Sequence, residues 1–335
     1  MKDAELQSST EAERNITIVQ SSPQSAKLSI SPVIPLLIGM LAISFAPILV
    51  RASDAPVSVQ GMYRMLFTFL LMLPFGAKQL RTVHTISRKD WLLLAAAGFF
   101  LALHFLLWMA SLTYTSIASS TILLALEPVF VLIGAFFLFK DRPHRFAVIG
   151  MLVALVGAVS IGSGDIGLSQ RAFFGDMLSF LGALAVAVNM LIAKQIMRRL
   201  SSYLYSLIVF GITAACFFVY NLITGIAMTG YSLKEWGVFL LLAVVPTVFG
   251  HMIFNWLLKY VKPATISMTV LAEPVGASLL GMLLFREMIS GFQLIGGLFI
   301  IAGLVIYMRA EKQGAAADIG TEQPETAVDG EPLQA

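Results

Sequence analysis

Charge is scarce in this sequence. Asp, Glu, Lys and Arg make up 12% of its 335 residues, about half the share of a soluble domain, which excludes a fold with a water-solvated surface on all sides. Cysteine is almost absent. Cys216 stands alone inside an apolar run, so no intrachain disulfide can form, and it reads as a small apolar filler. There is no HExxH, GxSxG or GxxxxGK[ST] motif, so zinc hydrolysis, serine hydrolysis and P-loop ATP binding lack support. The segment GSGD, Gly162 to Asp165, matches the GxGD of intramembrane aspartyl proteases, but it falls at the end of an apolar run and no tyrosine-aspartate partner precedes it. An isoelectric point near 9.0 comes without a basic stripe interleaved with aromatics, which argues against a nucleic-acid face. Residues 1–30 lack the basic start and short apolar core of a signal peptide.

What is abundant is apolar. Hydrophobic residues make up 58% of the chain, with 24 Phe, 26 Gly and 16 Met, and the mean hydropathy is +0.86. A helix needs about 20 mostly apolar residues to cross a bilayer. Ten such runs are present, near 32–50, 58–76, 91–111, 117–139, 146–163, 173–193, 203–224, 236–258, 264–285 and 291–308. The expected fold is an all-α polytopic membrane protein. Residues 1–30 and 310–335 are polar and read as disordered tails.

Loop charge sets the expected orientation. The loops at 77–90, 140–145, 194–202 and 259–262 carry Lys78, Arg81, Arg88, Lys89, Lys140, Arg142, Arg145, Lys194, Arg198, Arg199, Lys259 and Lys262. The alternating loops hold only Arg51, Arg171, Lys234 and Arg286. Basic loops stay inside, so both termini are expected in the cytoplasm.

A repeat runs through the chain. A shift of 146 residues aligns ASSTILLALEPVFVLIGAFFLFKD (118–141) with ATISMTVLAEPVGASLLGMLLFRE (264–287) without a gap. Glu127 falls on Glu273, Pro128 on Pro274 and Phe139 on Phe285. The match extends through Tyr114 and Tyr260, Gly150 and Gly296, and Gly157 and Gly303. Five spans separate the copies, so they enter the bilayer from opposite sides. The expectation is two inverted five-helix repeats, residues 31–163 and 164–309. Such halves meet at the midplane around a site that opens to either face in turn.

These stretches resemble the EamA-like family of the drug/metabolite transporter superfamily. LWMASLTYTSIASSTILLALEPVFVLIGAFFLFKD and FNWLLKYVKPATISMTVLAEPVGASLLGMLLFRE are similar to its half-repeat signature, as are MYRMLFTFL and FFGDMLSFLGALAVAV. The resemblance covers roughly residues 32–308. It implies a carrier without ATP hydrolysis, usually an exporter or exchanger of small metabolites, and leaves the substrate open.

Candidate site residues follow from what is costly in lipid. A carboxyl group at the bilayer centre costs about 2.5–3.5 kcal/mol and usually faces a cavity or a partner. Pro128 and Pro274 remove a backbone donor and clash with the carbonyls of Leu124 and Val270, so each helix is expected to kink beside its glutamate. Thr265, Thr269 and Glu273, and likewise Ser116, Ser120 and Glu127, form polar stripes expected to line a passage. Two readings are open for each glutamate, proton exchange or a bond to a neighbouring helix. His104 with Trp108, and His251 with Asn255, stand four apart on two related spans and offer a titratable imidazole and a stacking indole, or plain interhelical packing. Arg64 either snorkels to headgroups or anchors a carboxylate substrate. Asn189 and Asn221 read as interhelical hydrogen bonds, and Asp176 as a helix N-cap.

The sequence therefore points to a secondary transporter, not an enzyme, without cofactor or metal. It is expected to move a small organic metabolite or drug across a bacterial plasma membrane by alternating access, as efflux or exchange, with protons a candidate coupling ion. A passive channel is the alternative reading. Monomer and homodimer both fit.

Overall fold

A computed structural model describes residues 31–115, 117–163, 169–285 and 291–321. The expected tail 1–30, Ser116, Gly164 and Asp165 of the GSGD segment, Arg286 and residues 322–335 lie outside the described residues. Among the described residues every regular element is a helix, and those from Pro32 onward form one compact unit.

Among the described residues seven helical segments are long and apolar enough to cross a membrane: Val33–Ala52, Val57–Gly76, Arg88–Tyr114, Gln170–Ile196, Ser202–Thr224, Leu233–Leu257 and Leu294–Gln313. The first contains α1 (Val33–Ile43) and α2 (Ala46–Ala52), separated where Pro47 enters the first turn of α2. The next is α3 (Val57–Met72), and after the short α4 (Ala77–Leu80) comes α5 (Arg88–Tyr114). Two further apolar runs are each interrupted. One gives α6 (Ile117–Leu124) and α7 (Glu127–Phe139), followed by α8 (Arg145–Ser163). Then come α9 (Gln170–Ile196) and α10 (Ser202–Thr224). The segment after them opens as α11 (Leu233–Leu242), widens to a π-helix over Ala243–Met252, and closes as α12 (Ile253–Leu257). The second interrupted run gives α13 (Pro263–Val270) and α14 (Glu273–Phe285), and α15 (Gly291–Thr321) ends the described chain.

Local chemistry explains these boundaries. Ser87, Ser169 and Ser201 precede α5, α9 and α10, and each hydroxyl accepts a backbone N–H from inside the first turn. Gly225, at φ 68°, closes α10 in the left-handed conformation that glycine adopts without strain. The breaks at 125–126 and 271–272 directly precede Glu127-Pro128 and Glu273-Pro274. There the Leu126 N–H turns to the Leu123 carbonyl at 3.2 Å and the Ala272 N–H to that of Thr269 at 3.1 Å, tighter turns than an α-helix makes. Pro246, inside the wide segment, has no N–H to give and stands where the winding loosens.

Two expectations are corrected. α15 runs on to Thr321, past the tail boundary at 310, because AEKQGAAAD is rich in strong helix formers. Asp176 is no N-cap. Ser169 caps α9 more than a turn earlier, and the Asp176 carboxylate instead accepts the Thr115 hydroxyl at 2.9 Å.

Packing between helices comes in matched pairs. α5 lies on α9 as α1 lies on the π-helical segment, and α7 lies on α9 as α14 lies on α1. α8 packs on α15 through glycines. A Cβ on Gly150 would meet the Gly303 oxygen at 2.7 Å, and one on Gly157 the Gly296 oxygen at 2.5 Å. As numbers rise along α8 they fall along α15, so the two run antiparallel. The same holds for α3 and α10, where Gly61 meets the Phe217 ring and Gly211 the Phe69 ring. The outer faces carry exposed Phe137, Ile223 and Leu283, an apolar surface suited to lipid tails rather than water.

Candidate functional site

The broken helices bring the two glutamates inside. Glu127 opens α7 and Glu273 opens α14; they are 3% and 5% exposed. A small crevice between the breaks is lined by Thr121 and Ser267, Leu124 and Val270, Ala125 and Leu271, and Pro128 and Pro274. Each pair is related by the shift of 146 residues, so the two copies face each other here.

Beside this crevice lies a cavity of about 50 Å³, room for a few waters and less than a metabolite needs. Arg64, His104, Trp108, Glu127, His251, Asn255 and Glu273 all line it. These seven come from α3, α5, α7, the π-helix, α12 and α14, so residues far apart in sequence share one hollow.

Their bonding differs. Arg64 is fully buried and does not snorkel: its Nε donates to Thr247 Oγ1 at 2.8 Å, its guanidinium lies 4.2 Å from the Phe105 ring centre, and Nη1 and Nη2 have no partner. His104 donates from Nδ1 to the Gly182 carbonyl at 2.9 Å, which leaves Nε2 of the neutral ring as an acceptor. Its ring lies parallel to that of Trp108, centroids 6.2 Å apart, and the indole N–H is buried without a partner. His251 meets Phe105 edge-on at 5.1 Å, so Phe105 lies against both His251 and Arg64. Asn255 donates to Ser206 Oγ at 3.1 Å, across to α10. Glu127 Oε1 is buried and unpartnered.

The polar stripes mostly turn elsewhere. Thr269 donates to the Thr265 carbonyl at 2.9 Å, and Ser120 joins Ser111 at 2.6 Å, so these hydroxyls serve helix backbones and neighbours, not the cavity. Among the described residues of each stripe only the glutamate reaches the lining, because the break at the Glu-Pro pair re-aims the chain. Asn189 bonds across helices, donating to the Ala97 carbonyl at 2.9 Å, yet it also lines the cavity.

Three participants escaped sequence reasoning. Thr247 holds Arg64, Phe105 covers it, and the π-helical turn places Thr247 and His251 on one segment. Pro246 inside an apolar run was the available signal, since prolines mark where a membrane helix departs from α geometry.

Polar contacts join helices towards both ends of the bundle. At one end Ser53 bonds the Glu235 carboxylate and Lys234 meets Asp54 at 3.1 Å. At the other, Arg199 meets Asp90 at 2.8 Å, and Lys194 donates to the carbonyls of Leu258 at 2.6 Å and Val261 at 3.0 Å. Ser53 and Arg199, like Asp90 and Trp236, are 146 apart in sequence, so the two sets of contacts stand at corresponding places in the two copies.

Comparison with known proteins gives this architecture a family. The sequence model of the EamA-like transporter family matches residues 30–163 and again 173–309. The chain belongs to that family. Among curated relatives, an uncharacterized transporter of Archaeoglobus fulgidus is 28% identical over 73% of this chain and 84% of its own. The uncharacterized transporter YetK of Bacillus subtilis is 26% identical over 76% and 78%. One of Clostridium kluyveri is 23% identical over 73% and 81%. A solved crystal structure superimposes with a TM-score of 0.71 at 17% identity, covering 84% of this chain and 98% of that one, a likeness of fold. The protein is thus a multi-pass membrane protein of a transporter family, which handles small molecules at a lipid bilayer, and not an enzyme.

Proposed function

We propose that this EamA-like protein is a secondary carrier that moves a small organic metabolite or drug across the plasma membrane by alternating access. Residues 31–163 and 164–309 are its two halves, five crossings each, inverted with respect to one another, and both termini face the cytoplasm. The interrupted pairs α6–α7 and α13–α14 each count as one crossing, as does α8. The antiparallel runs of α8 on α15 and α3 on α10, with their exchanged glycine contacts, support the inversion.

One observation carries the reading. Acidic helix breaks from the two halves meet beside one cavity, and polar contacts join helices towards each end of the bundle. Rocking one half against the other opens one set of end contacts while keeping the other shut. Arg64, His104, Trp108, Glu127, His251, Asn255 and Glu273 line the passage, and Pro128 and Pro274 hold the breaks. Efflux or exchange is the direction proposed, with Glu127 and Glu273 as candidate proton carriers.

Counterflow tests it. Purified protein in liposomes preloaded with candidate metabolites is expected to accumulate labelled metabolite from outside with saturable kinetics. Flux that neither saturates nor is driven by preloaded solute would identify a passive pore instead.

A further inference from the structure

Arg64 has more binding capacity than the protein uses. Thr247 takes its Nε–H and Phe105 lies against its guanidinium. What is left is the far end of the fork, Nη1 and Nη2, both buried, both unpartnered, on a side chain that lines the cavity. Two parallel N–H donors on a fixed plane match the two oxygens of a carboxylate. Glu127 Oε1 and the Trp108 indole N–H, also buried and unpartnered, line the same hollow.

The charges around Arg64 constrain what can bind. Glu273 on α14 lies within electrostatic reach of it, and so do His104 on α5 and His251 on the π-helix; Glu127 on α7 lies within reach of Glu273. A guanidinium in this setting needs one negative charge near it, and a second uncompensated anion is costly. Before substrate binds, Glu273 is placed to supply that charge. A substrate carboxylate would bring a second.

We infer that the passage takes a small organic acid, one carboxylate of which binds the free Nη1 and Nη2 of Arg64 and takes over from Glu273 as the counter-charge, while Glu273 takes up one proton. The inference rests on the carrier reading above and names its substrate class. The exchange forms one O–H bond on the Glu273 carboxyl group with a proton given up by a hydronium ion of the water that reaches the passage, whose O–H bond breaks, and it breaks no covalent bond in the substrate. The site's net charge is the same before and after. Among the described lining residues Arg64 is the one guanidinium or ammonium, which favours a monocarboxylate over a dicarboxylate or a phosphate. Glu127 Oε1 is left for a hydroxyl or ammonium elsewhere on the molecule.

The test uses full-length protein in detergent and in liposomes. The probes are lactate, alanine, nicotinate and 3-phenylpropionate, each beside its primary amide. At least one acid is expected to raise the melting temperature and show counterflow where its amide does neither. Arg64→Lys, which keeps the charge and loses the fork, is expected to weaken that acid by about tenfold. Glu273→Gln, which removes the competing carboxylate, is expected to tighten it and flatten its pH dependence, an outcome that a merely structural glutamate would not give. Amides that match their acids, no acid that binds, or an Arg64→Lys protein with undiminished affinity would each overturn the inference. The wild-type comparison of acids with amides decides the matter even if neither variant folds. Saturable counterflow of amides alone would keep the carrier and remove the carboxylate site. An acid bound through Arg64 that crosses without counterflow would keep the site and remove the carrier.

Discussion

The two Glu-Pro segments share a backbone and differ in company. Both break two residues before the glutamate, both restart as a helix of 13 residues, and both bury the carboxyl group at one cavity. Around Glu273 stand Arg64, within electrostatic reach, and Ser44, whose hydroxyl donates to the Glu273 carbonyl at 3.5 Å. Glu127 has an unpartnered oxygen. At the position 146 residues after Arg64 the second half carries Phe210. The two copies thus share a backbone frame, while the buried cation stands in one copy only, Arg64 against Phe210.

This contrast can be broken at the frame first. Gly150→Val and Gly303→Val put a side chain into the opposing backbone, where no rotamer relieves the overlap. Each is expected to cost about 3 kcal/mol and to deplete folded protein on size-exclusion chromatography. Equal damage from both would show that the two copies share this seam equally.

The chemistry is the next place to press. Glu273→Gln and Glu127→Gln keep shape and hydrogen bonding while removing the charge, so both proteins are expected to insert. Transport should change its pH dependence more in Glu273→Gln, whose carboxyl group has the nearby guanidinium. Wild-type rates and unchanged pH dependence in both variants would rule out proton coupling through these groups.

The end contacts give the smallest effect. A double-mutant cycle on Arg199 and Asp90 is expected to return about 0.5–1 kcal/mol of coupling, since Asp90 is 91% buried at its side chain while Arg199 is half exposed. The pair of Lys234 and Asp54, open to solvent on both sides, should return less. In flux assays the two disruptions should bias accessibility towards opposite faces. A shift to the same face would contradict closures that alternate.

Much of this was legible in the linear chain. The apolar runs announce membrane helices because lipid offers the backbone no hydrogen bonds, and the shift of 146 residues exposes the two copies. The seven site candidates were found by one rule, that polar groups in lipid have a reason to be there. The roles of their neighbours were less legible. Thr265 and Thr269 have the spacing of a lining stripe, yet their hydroxyls face backbone carbonyls or neighbours, a choice made by rotamers and local backbone bends.

Sequence by itself determined that the chain lives in a bilayer, where it bends, and which side chains are too polar to be left among lipid tails. Only the tertiary structure decided which of those side chains meet, that Thr247 and Phe105 fix Arg64, and that two of its nitrogens remain without a partner. The physical reason lies in range. Helix formation and insertion answer to composition over a turn or a span, whereas a cavity is the space left between many helical segments, and its shape belongs to none of them alone.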